Sequence, residues 1–293
     1  MDAIALEPPI RRLFDLPGRG GAMAGLAFGP GDRPVDVVFV HANGFNALTY
    51  RRILAPLGRD LHVLAVDQRG HGRSTLPLEP EGRENWDGLR DDLLALLDLI
   101  DGRDVVLAGH SMGGTASLLA AAEAPERVKA VSLFDPVIMP PSAPKPGPET
   151  EASPLVQGAR RRRAVFPDRA AALAAYTGRG AFRSWPEAML ADYVADGFRD
   201  RADGEVELAC PPAWEASNFS TAGSDTWGAF ARVRAPVRIL RAEEGSTCRI
   251  DERLDELTAD GRITAETIAG TSHFLPMERP DLVRQVLRAA VGR

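Results

Sequence analysis

Apolar positions in the first half of the chain alternate between two patterns. Short apolar runs at residues 22–28, 35–40, 61–66, 105–108 and 128–134, the second of them β-branched, predict strands. Between them, residues 48–57, 86–100 and 112–123 predict helices. The second of these carries Leu89, Leu93, Leu96, Leu97 and Ile100 at helical spacing. The run 105–108 is continuously apolar, as in a parallel strand covered on both faces. The alternation stops after Pro136. Two proline-rich stretches (140–154 and Pro211-Pro212) and two amphipathic pieces (168–176 and 186–199) follow. It resumes with a strand at 237–240, a helix at 251–259, a strand at 262–268 and a helix at 280–291. Strands alternating with helices predict an α/β fold, a mostly parallel central sheet flanked by helices on both faces. The interruption predicts an inserted helical cap at 136–235, on a core domain made of 1–135 and 236–293.

Composition narrows the function classes. The net charge of −6 in 293 residues argues against nucleic acid as a partner. The one dense basic run, Arg160-Arg161-Arg162-Arg163, reads as a solvated face. Cys210 and Cys248 have no metal-type spacing and read as free thiols of a reducing compartment. The first residues lack a basic segment followed by an apolar run, and no stretch of about 18 apolar residues occurs. The expectation is a cytoplasmic protein, monomer or homodimer, with no membrane partner.

The chemistry is concentrated at Gly109-His110-Ser111-Met112-Gly113, which follows the strand at 105–108 and opens the helix at 112–123. A serine on a sharp strand-to-helix turn needs small residues on either side, because the two backbones approach closely there. A serine hydroxyl is a weak nucleophile and needs a general base, itself oriented by an acid. Of five histidines, His41, His62, His71 and His110 lie in or beside strands, in a Gly-rich loop, or next to the serine. His273 remains, in Gly270-Thr271-Ser272-His273-Phe274, a loop after the last strand. Loops at the carboxyl ends of parallel strands gather at one edge of a sheet, which would bring His273 toward Ser111.

Four segments together resemble the α/β-hydrolase fold superfamily. They are His41-Ala42-Asn43-Gly44-Phe45, Asp67-Gln68-Arg69-Gly70-His71-Gly72-Arg73-Ser74, Gly109–Gly114 and Gly270–Phe274. The resemblance covers residues 20–135 and 236–290, and the interruption fits that family's variable cap. It implies an oxyanion hole from the backbone N–H groups of Met112 and Asn43. The Asn43 side chain departs from the family's usual residue here and is read as capping its turn. The Asp67–Ser74 segment is read as bracing its loop.

The acid departs from the commonest pattern. The loop after the penultimate strand, Arg241-Ala242-Glu243-Glu244-Gly245-Ser246-Thr247-Cys248, holds no aspartate. The superfamily's second arrangement places the acid after the strand that follows the nucleophile helix, which here supplies Asp135. Asp135 is the first candidate and Glu243 the alternative. An Asp-Pro turn with no contact to His273 is the structural reading of Asp135.

These residues imply a serine hydrolase that cleaves a carboxylic ester, thioester or lactone of a small, largely apolar substrate through an acyl-enzyme, with no metal or organic cofactor. C–C hydrolase, amidase and perhydrolase activities use the same groups, and a non-catalytic ligand-binding member of the fold is the alternative of another class. The insertion holds three of the four tryptophans. Phe45, Trp214 and Trp227 are the pocket candidates.

Overall fold

The computed structural model describes residues 7–100, 103–144, 146–221 and 223–292. Residues 1–6, on which the expectation about a leader segment rests, lie outside the described residues. Eleven strands are described: β1 (Ile10–Leu16), β2 (Gly21–Phe28), β3 (Val37–Val40), β4 (Val63–Val66), β5 (Val105–His110), β6 (Val128–Phe134), β7 (Val165–Phe166), β8 (Phe198–Asp200), β9 (Val206–Leu208), β10 (Val237–Glu244) and β11 (Ile263–Ser272). Eight of them form the central sheet in the order β1-β2-β4-β3-β5-β6-β10-β11. From β4 to β11 neighbours run parallel, and β1 and β2 are antiparallel additions at one edge.

The period-two alternation sorts side chains to the two faces. In β3, Val37 and Phe39 enter one apolar layer and Val38 and Val40 the other. The first layer is closed by Val283, Val286 and Leu287 of the helix Pro280–Val291. The second is closed by Leu89, Leu93, Leu96 and Leu97 of the helix Asp87–Leu99, and by the helix Met112–Glu123. Both faces are therefore covered, as a parallel sheet requires.

The insertion is not wholly helical. Helices Pro154–Arg160, Arg169–Tyr176, Glu187–Gly197 and Pro212–Ser220 are joined by a three-stranded antiparallel sheet, β7-β9-β8. Strands of two or three residues are too short to give a period-two signal in the sequence. The last helix of the segment, Thr226–Arg232, places Ala229 and Phe230 in the same apolar layer as Leu118 and Leu119. It packs with the core domain.

The chain leaves β6 through a clamp. Thr115 Oγ1 donates to the Val137 carbonyl (2.9 Å) and accepts from the Val137 N–H (3.1 Å). One residue on, the Ile138 N–H donates to Thr247 O (3.1 Å) and the Arg249 N–H donates to Ile138 O (2.9 Å).

The approach of helix 112–123 to the sheet is as tight as backbone allows. A Cβ on Gly113 would lie 2.3 Å from Val40 O, and one on Gly109 would lie 2.4 Å from the Gly113 carbonyl. Gly158, on an exposed face of helix Pro154–Arg160, has nothing within 4 Å of its would-be Cβ. Gly113→Ala is expected to cost about 3 kcal/mol or more, because rigid backbone must move. Gly158→Ala is expected to be neutral or to stabilise by about 0.5–1 kcal/mol. Urea unfolding of the two variants measures the contrast, and equal effects would contradict this account of the packing.

Candidate active site

Ser111 sits between β5 and helix Met112–Glu123 with φ 54° and ψ −124°. That region is sparsely populated by residues with a side chain and costs about 1–3 kcal/mol. The Ser111 N–H donates to Phe134 O of β6 (3.1 Å), so the neighbouring strand holds the turn. Asp135, directly after β6, also has a positive φ, 43°.

The structure brings Ser111, His273 and Asp135 together. His273 Nδ1 lies 2.6 Å from Asp135 Oδ2, and His273 Nε2 lies 3.1 Å from Ser111 Oγ. A carboxylate only accepts, so Nδ1 carries the proton and the Nε2 lone pair faces the serine hydroxyl. The Asp135 carboxylate is saturated with further donors. Oδ1 accepts from the Ala242 N–H (2.8 Å) and Ser246 Oγ (2.5 Å), and Oδ2 accepts from the Thr247 N–H (3.1 Å). Burial alone would push this carboxyl up. The His273 hydrogen bond and charge, with those from Ser246 and Ala242, outweigh burial and hold it below the usual carboxylate range.

Glu243 is not part of this group. It is exposed, and its Oε2 accepts the Gly270 N–H (2.9 Å). The loop after β10 instead contributes Ser246 and Thr247 as donors to Asp135. Sequence reasoning found neither, since a serine and a threonine in a polar loop carry no distinguishing signal.

The loop after β3 lies against the start of helix Met112–Glu123, where Gly113 meets the carbonyls of Val40 and His41. Three of its amides are engaged within the fold. The Ala42 N–H donates to Tyr50 Oη (3.2 Å), the Gly44 N–H to His71 Nε2 (3.0 Å) and the Phe45 N–H to Ala42 O (3.1 Å). The Asn43 amide has no acceptor among the described residues, and Met112, the first residue of its helix, has no intrahelical acceptor for its own.

The Asn43 side chain does not cap its turn, contrary to the sequence reading. Its Nδ2 donates to Glu215 O (3.0 Å), and its Oδ1 accepts from Asn218 Nδ2 (2.9 Å), which joins it to the helix Pro212–Ser220 of the insertion. Arg162 likewise departs from the solvated reading of the basic run. Its Nη1 donates to both Glu215 oxygens (3.0 and 2.8 Å), and its Nη2 donates to Tyr193 Oη. Glu215 lies directly over Gly44, where a Cβ would come within 2.5 Å of its Oε1.

His41, His71 and His110 form the frame of the site, and His62 lies apart from it, bonded to Arg33 and Asp36. Tyr50 Oη lies 2.7 Å from His110 Nδ1, and His110 Nε2 lies 2.7 Å from the His273 carbonyl. The carbonyl can only accept, so His110 carries its proton on Nε2 and takes the Tyr50 hydroxyl proton at Nδ1. A single hydrogen-bonded line therefore runs from the Ala42 amide through Tyr50 and His110 to His273. His41 Nε2 accepts the Gln68 N–H (2.9 Å). In the neighbouring loop, Asp67 accepts from the Ala47 and Arg73 amides and Arg69 pairs with Asp92, which braces the turn.

Among the pocket candidates, Phe45 is central. Its ring meets Trp185 edge-on (5.1 Å), Tyr193 (5.9 Å) and Phe274 (6.3 Å), the residue after His273. Trp185 is buried, and its Nε1 has no hydrogen-bond partner among the described residues. Trp214 and Trp227 are not brought into this cluster. Trp214 Nε1 donates to Arg69 O (2.9 Å), which seats the cap on the loop after β4. Trp227 donates to Met139 O (2.8 Å) and lines a cleft with Arg253, Glu256 and Ile263.

Comparison with known proteins gives the family and the fold. The sequence matches the Alpha/beta hydrolase family over residues 37–286. It is 25% identical to 3-oxoadipate enol-lactonase 2 of Acinetobacter baylyi, over 91% of each chain. It is 23% identical to 2-(acetamidomethylene)succinate hydrolase of Mesorhizobium japonicum, over 86% of each chain. A crystal structure of E-2-(acetamidomethylene)succinate hydrolase superposes with a TM-score of 0.79, covering 97% of this chain and all of that one (100%), at 23% identity. A 38% identical match covers only 42% of this chain and 29% of a dihydrolipoyllysine-residue acetyltransferase component of an acetoin cleaving system from Pseudomonas putida.

The buried histidine frame predicts acid lability. Burial pushes His71 down to about 4, His110 to about 3, and His41 well below the ordinary value. Below an unfolded-state pKa of about 6.5, the unfolded chain takes up protons that these three folded rings refuse. The stability they contribute is whole above that pH and is lost as pH falls, by about 1.4 kcal/mol per pH unit per ring. Asp67 acts in the opposite sense, because burial pushes its carboxyl up to about 6, and it offsets one ring. Unfolding free energy measured in urea is expected to drop by about 4 kcal/mol from pH 7 to pH 5. A flat profile would show that the histidine frame admits protons or water.

Proposed function

The chain belongs to the α/β-hydrolase family, and from that membership we propose that it is a serine hydrolase acting on a carboxylic ester, thioester or lactone of a small molecule. The observation that carries the reading is the line Ser111 Oγ, His273 Nε2, His273 Nδ1, Asp135 Oδ2, at 3.1 and 2.6 Å across its two hydrogen bonds. In this reading Ser111 attacks the carbonyl carbon while His273 takes its proton. Asp135 holds the imidazole in the required tautomer and stabilises the imidazolium. The Met112 and Asn43 amides receive the oxyanion, and losing one such donor costs about 3 kcal/mol in the transition state. The tetrahedral intermediate collapses as the imidazolium returns the proton to the leaving alkoxide or thiolate. Water, deprotonated by His273, then attacks the acyl-serine and releases the acid.

Phe45, Trp185 and Phe274 form the apolar wall of this site, in place of Trp214 and Trp227. The relatives support the reaction class: one is a lactonase and another a hydrolase.

A fluorophosphonate probe is expected to label the wild-type protein at Ser111 and leave Ser111→Ala unlabelled. Failure to label the wild type, under conditions that label a control serine hydrolase, would remove the reading. On a p-nitrophenyl ester, Asp135→Asn is expected to lower kcat by about 10³–10⁴-fold, since the amide presents the wrong partner to Nδ1–H. Glu243→Gln is expected to stay within about twofold of wild type, as for an exposed group outside the site. The reverse pattern would move the acid to the loop after β10.

A further inference from the structure

Arg83 is a half-buried cation with no counter-charge. It lies in the long loop between β4 and helix Asp87–Leu99, at the seam with the cap. Its Nη1 donates to Ser217 Oγ (3.0 Å) and Asn218 Oδ1 (2.6 Å), and its guanidinium lies 4.1 Å over the Trp214 ring. No carboxylate among the described residues pairs with it. Of the neighbouring arginines, Arg69 and Arg19 pair with Asp92, Arg162 with Glu215, and Arg73 and Arg11 with Asp196, while Arg199 donates to the carbonyls of Gly72 and Ser74. Burial, aided by the charge of Arg69, pushes the Arg83 guanidinium down to about 10, which is the consequence of a cation left without an acid.

Two features turn this imbalance toward the site. Both of these bonds use Nη1, so the whole Nε–Nη2 edge has no hydrogen-bond partner among the described residues. That edge grips a carboxylate through two parallel hydrogen bonds. The residue that anchors Arg83 is also the one that anchors the oxyanion loop: Asn218 accepts from Arg83 through Oδ1 and donates to Asn43 through Nδ2 (2.9 Å). The cation is thus two hydrogen bonds from the side chain of the residue whose backbone amide is proposed to receive the substrate's carbonyl oxygen. Around it, Ser217, Asn218, Ser220 and Thr221 make this face of the cap polar, opposite in character to the aromatic wall at Phe45.

We propose that Arg83, held by Asn218 and Ser217, is the binding point for a carboxylate carried by the substrate, so that the preferred substrate is an anionic ester or lactone with an acid group a few bonds from the scissile carbonyl. The reading rests on the serine-hydrolase function above. The substrate acid supplies the charge that the fold withholds, and its exchange of water for a bidentate arginine is favourable because the cation is already partly desolvated.

The test has a kinetic and a binding arm. Mono-p-nitrophenyl esters of succinic, glutaric and adipic acids are compared with the same esters whose free acid is methyl-capped. The wild type is expected to prefer at least one free-acid ester by about 10- to 100-fold in kcat/KM, carried in KM, as for a hydrogen bond to a charged group. In Arg83→Gln the ratio is expected to fall to near one. Arg83→Lys, which keeps the charge but not the fork, is expected to fall between. Arg232→Gln, a surface arginine paired with Glu123, serves as the control and keeps the ratio. No wild-type preference for any free-acid ester, or a preference that survives Arg83→Gln, overturns the proposal. In the second arm, calorimetry follows binding of the free dicarboxylic acids without turnover. Binding to wild type that is lost in a folded Arg83→Gln supports the carboxylate site even if fluorophosphonate labelling has failed. Absence of binding to the wild type refutes the site even if labelling has succeeded.

Discussion

The close approach of one helix to one sheet governs the rest of this molecule. Gly113 meets the carbonyls that end β3, and Gly109 meets the backbone of Gly113. Only glycine fits at those two contacts. Once the backbones are that near, Ser111 is forced into a positive-φ turn and its hydroxyl stands clear of the sheet edge. The same contact brings the loop after β3 beside the first turn of the helix. The two unengaged amides, at Asn43 and Met112, are neighbours of the serine for this steric reason.

Around that contact the fold spends polar groups on rigidity. Asp135 is held by donors from three residues besides His273, and two of these residues, Ser246 and Thr247, have no chemical role of their own. The loop after β3 is gripped from below by His71 and Tyr50, and from above by Asn218 and the Arg162–Glu215 pair. Its geometry therefore depends on the cap being seated. Breaking such a buried pair by removing one partner is costly, since the other charge is left uncompensated.

Much of this was legible in the sequence, and the exceptions have physical reasons. Strands β3, β5 and β6 and the helix at 112–123 appear where their apolar period places them, because parallel strands buried on both faces have no other way to be written. The edge strand β1 was not anticipated. Its residues Ile10–Leu16 are mostly exposed and include three charged side chains, so the burial that makes a strand visible is missing. Ser111 was singled out by its motif, His273 by elimination and Asp135 through the superfamily's second arrangement of the acid, and the three lie within hydrogen-bond distance in the order Ser111–His273–Asp135. Arg162 was read as solvated because a basic run gives no sign of a glutamate 53 residues away that buries one member of it. The Asn43 side chain was read locally for the same reason, since its partner Asn218 is 175 residues distant. What failed was long-range pairing, within the insertion for Arg162 and between the insertion and the sheet domain for Asn43.

The clamp after β6 has a consequence for how the insertion can vary. Asp135 and the first residue of the insertion are adjacent, so motion of the cap would act on the acid as through a lever. Thr115 and the strand-like pairing of Ile138 with Cys248 tie down the chain within three residues. Torque from the cap is grounded on helix 112–123 and the loop after β10 before it reaches the carboxylate. A change in the chain beyond that anchorage would reach the hydrogen bond that orients His273 only through these contacts. Residues 136–138 thus form a mechanical joint between the acid and the segment that follows it.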